Sequence, residues 1–114
     1  MHEFSLMTSV LDSVEASAKE HKASKVVEVK LVIGEMAEVF EDAMDFAFET
    51  LTPGTMAEGA KLIMTKVSPK SRCLDCLHEF EHSRFQFACP KCSSLTTQLL
   101  AGKELYIESM EIES

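Results

Sequence analysis

The chain has 114 residues, with hydrophobic residues at 46% and charged residues at 26%, the balance of a soluble folded chain and not of a disordered one. That length holds one ordinary domain, or a small domain with a smaller module. Eleven Lys and Arg against nineteen Asp and Glu leave a formal charge of −8, which repels phosphate backbones and argues against a nucleic-acid partner. No apolar run approaches the roughly 20 residues needed to span a bilayer. Met1-His2-Glu3-Phe4 has neither the basic nor the long apolar stretch of a secretory signal, so a cytoplasmic chain with no membrane partner is expected.

Phe4, Met7, Val10, Leu11, Val14 and Ala18 recur at helical spacing and predict a helix over about residues 4–21. Ala23-Ser24 reads as a turn. Val27, Val29, Leu31 and Ile33 then alternate with Glu28, Lys30 and Val32 as in a strand that ends at Gly34. Phe40, Ala43, Met44, Ala47, Phe48 and Leu51 form a second helical stripe, stopped by Thr52-Pro53-Gly54. Residues 61–67 read as a strand. From Leu105 to Ile112 a last strand is expected, with Leu105 and Ile107 on one face and Tyr106, Met110 and Ile112 on the other. The element order predicts an α+β fold: two helices packed on a small three-stranded sheet, with an inserted zinc-ribbon module.

Charge marks the insertion. Residues 1–66 hold twelve acids and six bases, residues 67–103 three acids and five bases, and residues 104–114 four acids and no base. The middle segment also contains all four cysteines. The expected domains are therefore a discontinuous one, 1–66 plus 104–114, and a four-cysteine one, 67–103.

Cys73-Leu-Asp-Cys76 and Cys89-Pro-Lys-Cys92 are two C-x2-C pairs with twelve residues between them. Two intervening residues let both thiolates of a pair turn toward one ion, and two pairs complete a tetrahedral sulfur set, the pattern of structural zinc. Four protein ligands leave no open position for catalysis. Disulfides are disfavoured without an export signal; a redox C-x-x-C is one pair and not two; iron suits the same cage. His78 and His82 follow closely, either as substitute ligands or, in the plainer reading, as solvated histidines.

Met1-His2-Glu3 is the second candidate metal site. An α-amine, a deprotonated backbone amide and an imidazole at the second residue can wrap a small ion and favour square-planar Ni(II) or Cu(II). Glu3 adds its amide nitrogen or a carboxylate. The same three residues are equally what an ordinary chain terminus looks like.

Several segments are more telling together. Met1-His2-Glu3 opens an amphipathic helix, and Leu31-Val32-Ile33-Gly34-Glu35 ends a strand. Phe46-Ala47-Phe48-Glu49, Gly54-Thr55-Met56-Ala57-Glu58-Gly59-Ala60-Lys61-Leu62, the four cysteines and Gly102-Lys103-Glu104-Leu105 follow in order. The whole resembles the HypA/HybF family, nickel metallochaperones of [NiFe]-hydrogenase maturation. The resemblance implies a carrier and not an enzyme. It implies Ni(II) held at the amino terminus by His2, with Met1 and Glu3 assisting, and structural Zn(II) on Cys73, Cys76, Cys89 and Cys92. It further implies a hydrogenase-maturation GTPase and the hydrogenase large-subunit precursor as partners, with urease maturation proteins as further ones. A zinc-ribbon interaction adaptor that binds no nickel is the alternative. One departure stands out: Leu77 and Ser93 follow the two cysteine pairs where the family usually has Gly, which tolerates the positive φ that closes such turns.

The remaining features read as structure. Glu35, Glu38, Glu41, Asp42, Asp45 and Glu49 suit a solvated helix face, with early acids complementing the helix dipole. Met7, Met36, Met44 and Met64 sit at apolar-stripe or strand positions and read as packing groups. No nucleophile–base pair is legible.

Overall fold

The computed structural model describes residues 2–114. Its elements run α1 (Glu3–Glu20), β1 (Lys25–Gly34), a 3-10 turn (Glu35–Ala37), α2 (Glu41–Leu51), β2 (Lys61–Val67), β3 (Lys70–Cys73), β4 (Glu79–Glu81), β5 (Thr97–Ala101) and β6 (Leu105–Glu113). Two sheets result, in the orders β2-β1-β6 and β4-β3-β5. The fold is α+β with two α-helices, as the periodicity predicts.

The chain divides into two compact units, one of residues 1–31, 39–65 and 106–114, the other of residues 32–38 and 66–105. In the first, α1 buries Met7, Leu11, Val14 and Ala18, steps of three and four residues that keep one stripe inward. Met44, Ala47 and Phe48 do the same for α2. Met7 and Met44 have no exposed surface, so both are packing groups. Glu41 and Asp42 occupy the first turn of α2, where the free N–H groups favour negative charge. The helix ends at Thr52, whose hydroxyl donates to the Phe48 carbonyl at 2.8 Å. Gly54 follows at φ 81°, past a proline that cannot continue the helix.

Strict alternation fails in the long strands. In β1, Leu31 to Gly34 are all buried, the mark of a strand covered on both sides. In β6, Ile107 and Met110 are both half-buried although they stand at opposite parity, so each face of that strand is partly covered.

The second unit is built on short antiparallel strands. β3 pairs with β4 through Lys70↔Glu81, Ser71↔Phe80 and Arg72↔Glu79. It pairs with β5 through Ser71↔Leu99, Arg72↔Gln98 and Cys73↔Thr97, with an irregularity between Lys70 and Ser71. Arg72 Nη2 meets Glu79 Oε2 at 2.6 Å across the first of these ladders. That guanidinium, with Lys70 nearby, holds the Glu79 carboxyl below the ordinary carboxylate range.

Two glycines allow a close backbone crossing in this unit. A Cβ on Gly34 lands 2.0 Å from the Gly102 carbonyl oxygen. The Gly34 N–H donates to the Glu104 carbonyl and the Met36 N–H to the Gly102 carbonyl, both at 2.7 Å. Gly102 itself has φ 123°, open only to glycine without strain. Gly34→Ala forces backbone against backbone and is expected to cost about 2–4 kcal/mol. Urea unfolding of the variant beside the parent measures it; a loss within error of zero contradicts this account of the crossing.

Candidate metal centres

Each cysteine pair is a tight turn closed by one backbone hydrogen bond. Leu77 N–H donates to the Cys73 carbonyl, and Ser93 N–H donates to the Cys89 carbonyl, each at 2.8 Å. Closing the turn needs a left-handed residue, and Leu77 (φ 65°) and Ser93 (φ 63°) supply it without being glycine. The turns therefore keep their shape at a backbone cost of about 1–2 kcal/mol per residue. The two knuckles are also tied to each other and to the sheet. Cys73 N–H donates to the His78 carbonyl, Leu74 N–H to the Thr96 carbonyl, and Cys89 N–H to the Ser94 carbonyl, each at 2.9 Å. The Ser94 hydroxyl donates to the Asp75 carboxylate, bridging the first knuckle to the residue just past the second.

These turns bring four sulfurs together. The Sγ atoms of Cys73, Cys76, Cys89 and Cys92 all lie within 4.8 Å of one another. Cys73 Sγ is 3.5 Å from Cys92 Sγ, and Cys76 Sγ is 3.6 Å from Cys89 Sγ. A tetrahedron with about 2.3 Å metal–sulfur bonds has edges of about 3.8 Å. The set therefore fits a zinc-sized ion, and the cysteines are free thiols and not disulfides. Cys73 and Cys89 are buried, while Cys76 and Cys92 lie toward solvent.

Thiol acidity follows the same two-fold pattern. The Cys76 N–H aimed at Cys73 sulfur, with that of Asp75, outweighs burial and lowers the Cys73 thiol to about 7. At Cys89 burial is the largest influence and opposes ionisation, but the N–H groups of Cys92 and Lys91 together win and lower it. Lys91 N–H lies 3.4 Å from that sulfur. At Cys76 the His78 N–H favours the thiolate, yet burial and the Cys89 and Cys73 sulfurs raise it overall. At Cys92 the Ser94 N–H is likewise overcome by Cys73 sulfur and burial, and the thiol rises to about 12.

His78 and His82 do not join this set; among the described residues the potential ligands are the four cysteines alone. Nor are they the solvated histidines of the plainer reading. Both are half-buried, because their strand packs them about Phe80: His78 stacks on it at 6.1 Å and His82 tilts against it at 5.4 Å. His82 Nε2 lies 2.7 Å from the buried Ser71 hydroxyl, and its Nδ1 lies 2.7 Å from the Ser83 carbonyl. The carbonyl can only accept, so Nδ1 carries a proton there.

At the amino terminus, His2 is the exposed N-cap of α1, and its carbonyl accepts the Leu6 N–H at 2.9 Å. Glu3, the next residue, is only 5% exposed. Its Oε2 accepts the Phe40 N–H at 3.1 Å, from the residue that caps α2. Sequence gave no sign of this contact, which joins residues 37 positions apart. Met1, the third residue of the expected nickel set, lies outside the described residues.

The Glu3 carboxyl is lowered to about 2, first by hydrogen bonding to the chain's amino group and then by the Phe40 N–H and its own amide. The carboxylate form thus stabilises the fold. Its contribution is complete above the ordinary value of 4.5 and disappears as pH falls through about 2. Glu3→Gln is therefore expected to be less stable than the parent at neutral pH, the gap closing as pH falls from about 4.5 to about 2. Urea midpoints across that range test it; a gap independent of pH contradicts it.

The family model described as "Hydrogenase/urease nickel incorporation, metallochaperone, hypA" matches residues 1–112. The hydrogenase maturation factor HypA of Desulfitobacterium hafniense is 41% identical over 113 residues, 99% of each chain. That of Dehalococcoides mccartyi is 39% identical over 113 residues, covering 99% of this chain and 95% of its own. The solution structure of the Ni metallochaperone HypA from Helicobacter pylori aligns with a TM-score of 0.69 at 28% identity, over 100% of this chain and 99% of its own. With end-to-end similarity in sequence and fold, and a four-thiol cage between the helical and C-terminal segments, the chain belongs to the HypA family of hydrogenase maturation factors and nickel metallochaperones.

Proposed function

We infer that the chain carries one Ni(II) at its amino terminus and hands it on during [NiFe]-hydrogenase maturation, acting as a carrier and not a catalyst. The observation that supports this most is the placement of the terminal residues. His2 caps α1 with its imidazole free to solvent, and the ionised Glu3 carboxylate follows directly. His2 nitrogen, the Met1 amine and backbone nitrogens supply a strong-field donor set, with Glu3 positioned beside it. Ligands drawn from a chain end release cargo more readily than a closed cage does. Amine and imidazole must both lose protons to bind metal, so affinity falls as pH drops. The partners of such a carrier are a hydrogenase-maturation GTPase and the hydrogenase large-subunit precursor, with urease maturation proteins as further recipients. No helix among the described residues is long and apolar enough to cross a membrane, in keeping with work in the cytoplasm.

In this reading residues 1–66 with 104–114 form the nickel domain, and residues 67–103 form the zinc domain. Cys73, Cys76, Cys89 and Cys92 hold Zn(II), which bridges strands whose own apolar cluster is small. Closed coordination gives the ion a structural role.

Titration of Ni(II) into untagged, zinc-loaded protein, followed by calorimetry and absorption, tests the carrier. One Ni(II) per chain is expected in the parent, and His2→Ala is expected to lose it. Unchanged stoichiometric binding in His2→Ala overturns the terminal site. Absence of binding in both proteins leaves the zinc-ribbon adaptor as the reading. Zinc removal tests the second site. Binding of such ions supplies about 10–16 kcal/mol in small zinc peptides, so chelation is expected to abolish amide-exchange protection at Ser71 and Phe80 while the helical circular dichroism persists. Protection that survives complete metal removal contradicts a structural role for the ion.

A further inference from the structure

We propose that the outer side of the two helices, beside the amino terminus, is a docking surface for a cationic protein segment with an apolar anchor. The charge on this chain is segregated by element. Together α1 and α2 carry eight acids and a single base, Lys19. Asp42, Asp45, Phe46 and Glu49 of α2 are all exposed, and at 100° per residue they share an arc of about 100° on the helix surface.

Within that acidic field sit two aromatic rings. Phe46 is 61% exposed and Phe4 of α1 is 42% exposed. They meet edge to face at 5.9 Å and 77°. The rings fix each other's orientation yet leave much of both in water, a pre-formed apolar spot with little rotamer entropy left to lose on binding. One turn further along α1, Thr8, Leu11, Asp12 and Glu15 line a recess of about 130 Å³ with Leu51 and Thr55. Leu11 and Leu51 give it apolar lining and Asp12 and Glu15 give it negative charge, which continues the same pattern.

The chemistry selects the occupant. Acidic residues around the rings repel nucleic acid and anionic lipid headgroups. They attract Lys and Arg, while the exposed surface of the Phe4–Phe46 pair rewards an apolar side chain laid against it. A basic amphipathic helix meets both demands. Position gives the surface a role: Phe4 follows His2 and Glu3 in the first turn of α1, and the Phe40 N–H holds Glu3 from the start of α2. A segment docked here stands within about a turn of the terminus, where a nickel donor or recipient has to stand. That role rests on the nickel-carrier reading; the docking itself does not.

The test uses the full zinc-loaded chain and a synthetic amphipathic helix with leucines along one stripe and lysines on its flanks. Its counterpart has glutamate in place of every lysine. Saturable one-to-one binding of the lysine peptide is expected, weakened by salt, with none of the glutamate peptide. Phe46→Ala is expected to weaken binding about tenfold, and Asp45→Lys with Glu49→Lys at least about tenfold. Both acids are exposed, Asp45 in the middle of α2 and Glu49 in its last turn, where Lys suits the helix dipole, so the double variant keeps its fold. Glu108→Lys with Glu111→Lys makes the same charge change on exposed positions of β6 and is expected to alter affinity by less than about twofold. No binding of the lysine peptide, an unaffected Phe46→Ala, or an equal loss in the β6 variant overturns the surface. Ni(II) stoichiometry is read on the same samples and is expected to be unchanged in Phe46→Ala. A parent that binds peptide in this pattern but no Ni(II) overturns the carrier reading and leaves the surface standing. The converse overturns only the surface.

Discussion

The second unit depends on the meeting of four sulfurs. Its buried cluster around the knuckles consists of Cys73, Phe80 and Cys89, so two of its three members are candidate ligands. Strands of four, three and five residues cannot hold one another on so little apolar area. Sulfur spacings of 3.5 Å for Cys73 with Cys92 and 3.6 Å for Cys76 with Cys89 bring all four groups close enough to share one ion. An ion shared by the four sulfurs would take the place of the core that these strands lack.

This constraint explains why the knuckles retain an unfavourable backbone. Leu77 and Ser93 hold positive φ although glycine would do so freely. Each lies one residue past the second cysteine of its pair and donates the hydrogen bond that closes the turn. A metal-bound cage stabilises the turn by far more than the left-handed residue destabilises it, so side chains are tolerated there. The symmetry extends to acidity. Backbone N–H groups favour the thiolates of Cys73 and Cys89, while Cys76 and Cys92 are raised.

Much of this was legible in the residues. Periodicity placed α1 within one residue at each end, because a long amphipathic stripe leaves a strong signal, and the strand read over residues 61–67 matches β2 at both ends. Cysteine spacing located the four-sulfur cage, since two residues between ligands is a geometric requirement. The three-stranded sheet around the cage was not legible. β3 and β4 are too short to show alternation, and pairs such as Ser71↔Leu99 are set by the knuckles and not by local pattern. His78 and His82 looked like surface residues because nothing in a sequence shows that Phe80 will be the buried centre of their hairpin. The contact from Phe40 to Glu3 was hidden for another reason: it is a backbone donor to a carboxylate, and any residue but proline could have supplied it.

That last contact changes what the terminal residues can do. A carboxylate that is buried and engaged by a backbone N–H is not an idle side chain at a chain end. Its hydrogen bond ties the first turn of α1 to the residue capping α2, so His2 emerges from an anchored helix. The neighbouring imidazole remains exposed. For the proposed carrier, an anchored carboxylate beside an exposed imidazole would meet two opposed demands, a defined place to find the ion and a low barrier to losing it. Burying both residues would serve the first at the expense of the second. Exposing both would leave an ordinary terminus, with the entropy of ordering it charged against every metal bound.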